Sequence, residues 1–143
     1  MKKITIIMTL AAILLSMCAS IAAGADAVNS DNPGEEVDVK KYLQAGKTNI
    51  IDFYSDYCGP CRKISPFLVK LDERREDIVV IKIDINRRGV KRIDWGSPLA
   101  KQYKLRSIPH FQVYDGQGKL TSEGREAFAK IVDILTKEGI IGR

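Results

Sequence analysis

"DFYSDYCGPCRKISP", running from Asp52 to Pro66, holds two of the three cysteines in the 143-residue chain and the change of pattern on which the fold turns. Before it, "TNIIDFYS" (Thr48–Ser55) is β-branched and aromatic with little polar alternation, as a strand buried on both faces requires. After Gly59 the pattern turns helical: Ile64, Phe67, Leu68 and Leu71 recur at helical spacing, with Lys63, Lys70, Glu73 and Arg74 between them. Pro66 falls inside this helix and should kink it after its first turns. Cys58 and Cys61 therefore sit where a buried strand ends and a helix begins.

Working outward, "EEVDV" (Glu35–Val39) reads as a short edge strand, followed by a short helix through "KKYLQAG" that stops at Gly46. "IVVIKIDI" (Ile78–Ile85) is a second buried strand. The irregular basic stretch "NRRGVKRIDWG" leads to a helix with Ser97 as its cap and Pro98 in its first turn. "HFQVYD" and "KLTSEG" flank Gly116-Gln117-Gly118 as a hairpin. A last amphipathic helix spans roughly Arg125 to Lys137, with Phe128, Ile131, Val132 and Leu135 on its apolar face. The order β-α-β-α-β-α-β-β-α predicts an α/β fold with a mixed central sheet and helices on both faces.

Composition bounds the rest. Apolar residues make up 45% and charged residues 29%, so one domain with a proper core is expected and disulfides are not needed to hold it together. The first 25 residues differ in kind: Lys2 and Lys3, an apolar run from Ile4 to Met17, then small residues ending at Ala23-Gly24-Ala25. That pattern is a secretory signal, the run being short for a spanning helix, although a retained anchor is the competing reading. Leu15-Ser16-Met17-Cys18 resembles a bacterial lipoprotein box, with Met17 departing from it; Cys18 either carries a lipid or leaves with the signal. Residues 26–34, "DAVNSDNPG", read as a flexible leader, and 35–143 as the domain. The formal charge of +5 falls to +3 without the two signal lysines, which gives no argument for nucleic acid.

Two cysteines at i and i+3 across a first helical turn can close a disulfide with little backbone movement. The unpaired amides at that helix end favour negative charge and lower the pKa of the leading thiol, preparing Cys58 to attack. Cys61, one turn further in, should be more buried and placed to resolve the mixed disulfide, while Pro60 restricts the loop. A structural disulfide, a zinc site and an inactive copy of a redox domain are the competing readings; zinc would lack ligands, with one histidine and no second cysteine pair. Asp52, between Ile51 and Phe53 in the most apolar strand, is costly to bury as a carboxylate, so its pKa should rise and it could relay a proton with Cys61. The alternative is an outward-facing strand residue.

Asp52, Cys58-Gly59-Pro60-Cys61, Pro66 and Ile108-Pro109, at matching places in the β-α-β order, resemble the thioredoxin signature across most of Glu35 to Arg143. The resemblance implies a thioredoxin-like fold and a protein thiol–disulfide oxidoreductase that needs no metal or organic cofactor. It implies a cis peptide at Ile108-Pro109 lying against the disulfide, with Tyr57, Gly59, Pro60, Ile108 and Pro109 shaping a groove for extended substrate chain. Lys82 matches the lysine that accompanies the buried acid, or else snorkels to solvent. Tyr57 stands where thioredoxins usually carry Trp. His110, in place of a small polar residue, either tunes the thiolate or touches substrate, or is a bland edge residue. The Asn86–Arg106 segment is longer than its thioredoxin equivalent and rich in Arg and Lys; it either docks an acidic partner or is a solvated loop with Trp95 packed as its anchor. With the signal, the resemblance points to a monomeric reductant of protein disulfides in a bacterial cell envelope, supplied by a membrane thiol electron donor. The rival readings are a disulfide-donating oxidant and a thioredoxin-fold module that binds without turnover.

Overall fold

The computed structural model describes residues 26–142, so the signal, its cleavage site and Cys18 lie outside the described residues. Among the described residues, four strands form one sheet in the order β2-β1-β3-β4: β1 Thr48–Tyr54, β2 Ile78–Asp84, β3 His110–Tyr114 and β4 Leu120–Glu123. β1 pairs with β2 in parallel and with β3 antiparallel, so the sheet is mixed. The parallel pair is joined by α1, Gly59–Arg74, which runs on through Pro66. The short helix α2, Pro98–Gln102, precedes β3, and α3, Gly124–Lys137, follows β4 directly.

β1 explains the sheet. Ile50, Ile51, Asp52 and Phe53 are all buried, because alternate residues feed two cores. Ile50 joins Val80, Phe111 and Val113 beneath Leu68 and Leu71 of α1 and Ala127, Ile131 and Leu135 of α3. Ile51 and Phe53 join Ile81, Ile83, Leu99 and Val39 on the other face. Each such aliphatic or aromatic side chain contributes about 1.5–3 kcal/mol by leaving water. Asn49, also buried, accepts from the Gln44 amide (2.7 Å) and donates to the carbonyls of Gln44 and Lys47, fixing the turn that enters β1. At the predicted cap, Ser97 Oγ accepts from the Ala100 amide at 3.1 Å.

Three expectations change. Glu35–Val39 is not a strand: the Val37 amide bonds to Gln102 Oε1 and its carbonyl accepts from Tyr103 Oη and Gln102 Nε2. Side chains of the α2 region thus satisfy backbone groups that a neighbouring strand would otherwise have to pair. The helix expected over 40–46 is a single 3₁₀ turn, Val39–Tyr42, capped by Asp38. Residues 26–34, read as a flexible leader, instead lie along the outer edge of β2. The Val28 amide donates to the Lys82 carbonyl, the Gly34 amide to the Asp84 carbonyl, and the Asn29 side chain bonds both the amide and the carbonyl of Asp84. Turn-rich sequence here meets the open edge of a strand, whose unpaired groups need partners of any conformation.

The basic loop after β2 is held by polar groups. Arg87 makes a bidentate pair with buried Asp94, and Asn86 donates to the carbonyls of Val90 and Arg92 while accepting from the Asp94 amide. Trp95, expected as the loop's anchor, is 42% exposed. The reading failed because a tryptophan amid charges looked like the one group able to pack, whereas Asn86 and Asp94 close the loop on its own backbone.

Gly34 locks the leader to this loop. Its φ is +77°, and a Cβ there would sit 2.5 Å from the Arg87 amide nitrogen. Gly89 has φ +82°, and beyond its two chain neighbours no atom of the described residues lies within 4 Å of its Cβ position. We expect Gly89→Ala to lower stability by about 1 kcal/mol through left-handed strain alone. Gly34→Ala should cost about 1–3 kcal/mol more, the clash being added. Urea unfolding of both variants measures this; equal losses would show that the leader is not held as described.

Candidate active site

β1 ends at Tyr54, and buried Ser55 turns the chain: its carbonyl accepts from the Cys58 amide (3.0 Å) and its hydroxyl from the Tyr57 amide (3.2 Å). Cys58 thereby becomes the N-cap of α1, and Pro60 occupies its first turn. Cys58 and Cys61 are joined as a disulfide. Cys58 Sγ accepts from the Cys61 amide at 3.1 Å, the bond a capping side chain makes at a helix N-terminus. In the reduced protein the same amide would face a thiolate, a charge-assisted bond that favours ionisation.

Burial does not separate the two sulfurs as expected. Cys58 is 1% and Cys61 2% exposed, so Cys61 is not the more buried of the two. The strand-to-helix turn folds Cys58 inward beneath Ile108. What distinguishes Cys58 is its place at the cap and on the edge of the Ile108–Pro109 segment, whose peptide bond is cis. Its sulfur lies 3.5 Å from the Ile108 carbonyl oxygen. Within the disulfide that sulfur carries no proton and the approach is a contact; a thiol there would donate to the carbonyl.

Asp52 lies on the sheet face that α1 covers, 1% exposed, and neither carboxylate oxygen has a hydrogen-bond partner among the described residues. Burial therefore pushes its pKa up to about 7, against the opposing pull of the Lys82 ammonium. Asp52 and Lys82 are register partners across β1 and β2. Lys82 is itself buried; Nζ bonds Ser65 Oγ at 3.1 Å and sits 4.4 Å from the centre of the Tyr54 ring. Lys82 is thus buried rather than reaching solvent, and its charge opposes the rise in the Asp52 pKa. Ser65 stands one helical turn after Cys61 on the same face of α1. The carboxyl and the ammonium thus lie on the sheet face that α1 covers, and Cys61 is on the same face of α1 as the Ser65 that binds the ammonium.

The remaining predicted residues divide. Tyr57 is half-exposed beside the turn, and Gly59, Pro60, Ile108 and Pro109 surround the disulfide. His110 faces away: Nε2 lies 3.1 Å from Glu123 Oε1, which also accepts from Gln112 Nε2. These contacts hold the Glu123 carboxyl below its ordinary range, the Gln112 bond foremost. The structure gives His110 no contact with either sulfur among its hydrogen bonds and ion pairs. Ser55 and Ser65 were missed. Ser65 was open to detection as the residue four beyond Cys61, but a lone serine on a helix carries no signal unless its strand partner is known.

Comparison with known proteins shows the family of the chain. The family model for thioredoxin matches residues 34–137. A thioredoxin of Coprinus comatus is 41% identical over 80 residues, covering 54% of this chain and 68% of that protein. The chloroplastic F-type thioredoxin of Mesembryanthemum crystallinum is 34% identical over 87 residues, covering 60% of this chain and 41% of that protein, so the chain spans well under half of that relative. The crystal structure of Chlamydomonas reinhardtii thioredoxin f2 aligns with a TM-score of 0.48 at 27% identity, over 68% of this chain and 86% of that one. The fold and the Cys58–Cys61 pair define a thioredoxin-type thiol–disulfide oxidoreductase. The chain belongs to the thioredoxin family.

A carboxyl whose pKa is raised on folding has a definite consequence for stability. Between the unfolded value of 3.8 and the folded value near 7, the folded state binds the extra proton, so stability falls as pH rises through that window and is level above it. Asp52→Asn removes the effect. Its stability relative to the parent should grow by roughly 2–4 kcal/mol from pH 4 to pH 8. Urea titrations at several pH values read this difference, and a constant difference would mean that Asp52 is not held protonated by burial.

Proposed function

We propose that the protein reduces disulfides in polypeptide clients within a bacterial cell envelope, drawing electrons from a membrane thiol donor. The observation that carries the chemistry is the Cys58–Cys61 disulfide at the start of α1 with the unpartnered Asp52 carboxyl beneath that helix. The signal-like sequence of residues 1–25 supports the location.

In the reduced protein the Cys58 thiolate attacks one sulfur of the client disulfide. A Cys58–client mixed disulfide forms, and the client's other sulfur leaves as a thiolate. Cys61 then loses its proton to Asp52, and its thiolate attacks Cys58 Sγ, expelling the second client sulfur. Two electrons pass to the client, and the Cys58–Cys61 bond closes. A carboxyl titrating near 7 accepts and returns a proton close to neutral pH, where a carboxylate with an ordinary pKa would be a poor base. The Ile108–Pro109 edge receives the client backbone alongside Cys58, and Tyr57, Gly59 and Pro60 flank it. The donor, itself a dithiol, regenerates the protein by the reverse exchange. The protein acts as a monomer.

Cys61→Ser should accumulate mixed disulfides through Cys58, detected as adducts that dithiothreitol releases from envelope extracts; their absence would remove the assigned order of attack. Asp52→Asn should slow client reduction roughly tenfold or more at pH 7 with the fold intact. Stopped-flow reduction of a protein disulfide measures it, and an unchanged rate would take Asp52 out of the proton path.

A further inference from the structure

α3 carries a wider apolar stripe than the sheet covers. Ala127, Ile131 and Leu135 are buried, yet Phe128, one position round, remains 41% exposed, its ring stacked 6.1 Å from Phe111. The sequence placed Phe128 with the core residues, and the core does not enclose it. On the other side, Ile64 and Phe67 of α1 are only partly buried against the same core. Between the two helices lies a cavity of about 350 Å³. Its walls include Ile64, Phe67, Phe128 and Val132, with Lys63 the single charged residue lining it among the described residues.

A lone exposed phenylalanine would need no explanation. This one belongs to a groove that also includes Pro60 and Pro109. Pro60 stands between the two cysteines, and Pro109 carries the cis bond beside Cys58. A polypeptide bonded to Cys58 and lying along Ile108–Pro109 is therefore at the mouth of an apolar cleft. The volume is at the lower end for ligand sites, enough for one or two side chains rather than an organic cofactor. Nearly all of its lining is carbon, so a charged occupant would lose hydration with only Lys63 to offset it, and then only if it were acidic. Ile141, beyond α3, lines it as well.

We infer that this groove is a subsite for a large apolar side chain, of leucine, methionine or phenylalanine size, lying close in sequence to the client's cystine. Phe128, Ile64 and Val132 select such clients. The inference rests on the proposed reduction of protein disulfides and adds no chemical step to it. The apolar side chain leaves water as the mixed disulfide forms, so the preference appears in kcat/KM.

The test uses short synthetic peptides, each joined by a disulfide to glutathione, in which one leucine is moved over the three positions on either side of the cysteine of an otherwise Ser/Gly sequence. The reduced parent protein should favour the best leucine peptide over the all-Ser/Gly peptide by about tenfold in kcat/KM, the scale of one apolar side chain in a pocket. Phe128→Ser and, independently, Val132→Ser should reduce that ratio to about twofold or less, and Phe128→Leu should preserve it. The ratio is taken within each protein, so a general loss of activity cancels. No preference in the parent, or a preference that survives both serine variants, overturns the inference.

If the parent reduces none of the peptides, the redox reading fails, and the groove is then judged by binding. A version of the leucine peptide with serine for cysteine should shift the nuclear magnetic resonance signals of Ile64, Phe128 and Val132 in the oxidised protein. Unmoved signals overturn the groove as well. Shifts that follow protein concentration without peptide would assign the groove to a second copy of the chain, and would also overturn it.

Discussion

Everything in this molecule is referred to the position of β1. Among the described residues it is paired on both sides, parallel to β2 and antiparallel to β3, and its middle residues are withdrawn from water on both faces. A strand so fixed delivers its C-terminal end to one place, and four residues later Cys58 begins α1. The redox pair inherits its precision from hydrogen bonding and packing that have no chemical role of their own. Ser55 converts that rigidity into a turn by holding both Tyr57 and Cys58. Disrupting β1 would misplace the disulfide, the buried acid and the Pro109 edge together.

Two opposed electrostatic influences act at the pair. The capping amide of Cys61 favours a thiolate at Cys58. The Asp52 carboxyl, buried on the face under α1, titrates near neutral pH, and when ionised it disfavours further negative charge at the pair. Lys82 tempers this without neutralising it, since its ammonium is bonded to Ser65 and faces the Tyr54 ring. A reduced state that is not strongly stabilised as an anion gives up its electrons more readily, which is the direction a reductant needs. An oxidant would need the opposite balance, with its dithiol form held as a stable thiolate. The same burial that makes Asp52 useful makes it destabilising above neutral pH, so function and stability compete at this residue.

Much of this was legible in the chain because it rests on local rules. The buried strand, the cysteines at its end, Ser97-Pro98 as a helix start and the 110–123 hairpin each follow from residue type and spacing over a few positions. The failures share a different cause. Residues 26–34 and Val37 found partners more than fifty positions away, in Asp84, Gln102 and Tyr103. No local pattern announces that a polar turn will close the edge of a strand. Trp95 was misjudged because the polar closure of its loop by Asn86 and Asp94 spans residues that read individually as solvated. Phe128 was assigned to the core by helical period, which fixes a face to within one residue and does not say how much of that face a sheet will cover.

The central claim is that the buried acid and the capped cysteine together make a reducing couple. The most direct measurement is the reduction potential of Cys58–Cys61 in the folded domain, by equilibration with glutathione or dithiothreitol buffers. The account predicts a value close to the thioredoxin reference of about −270 mV, moving in the oxidising direction when Asp52 is replaced by Asn. A potential near that of strong periplasmic oxidants, about −120 mV, would contradict it and reverse the direction in which electrons pass through the pair.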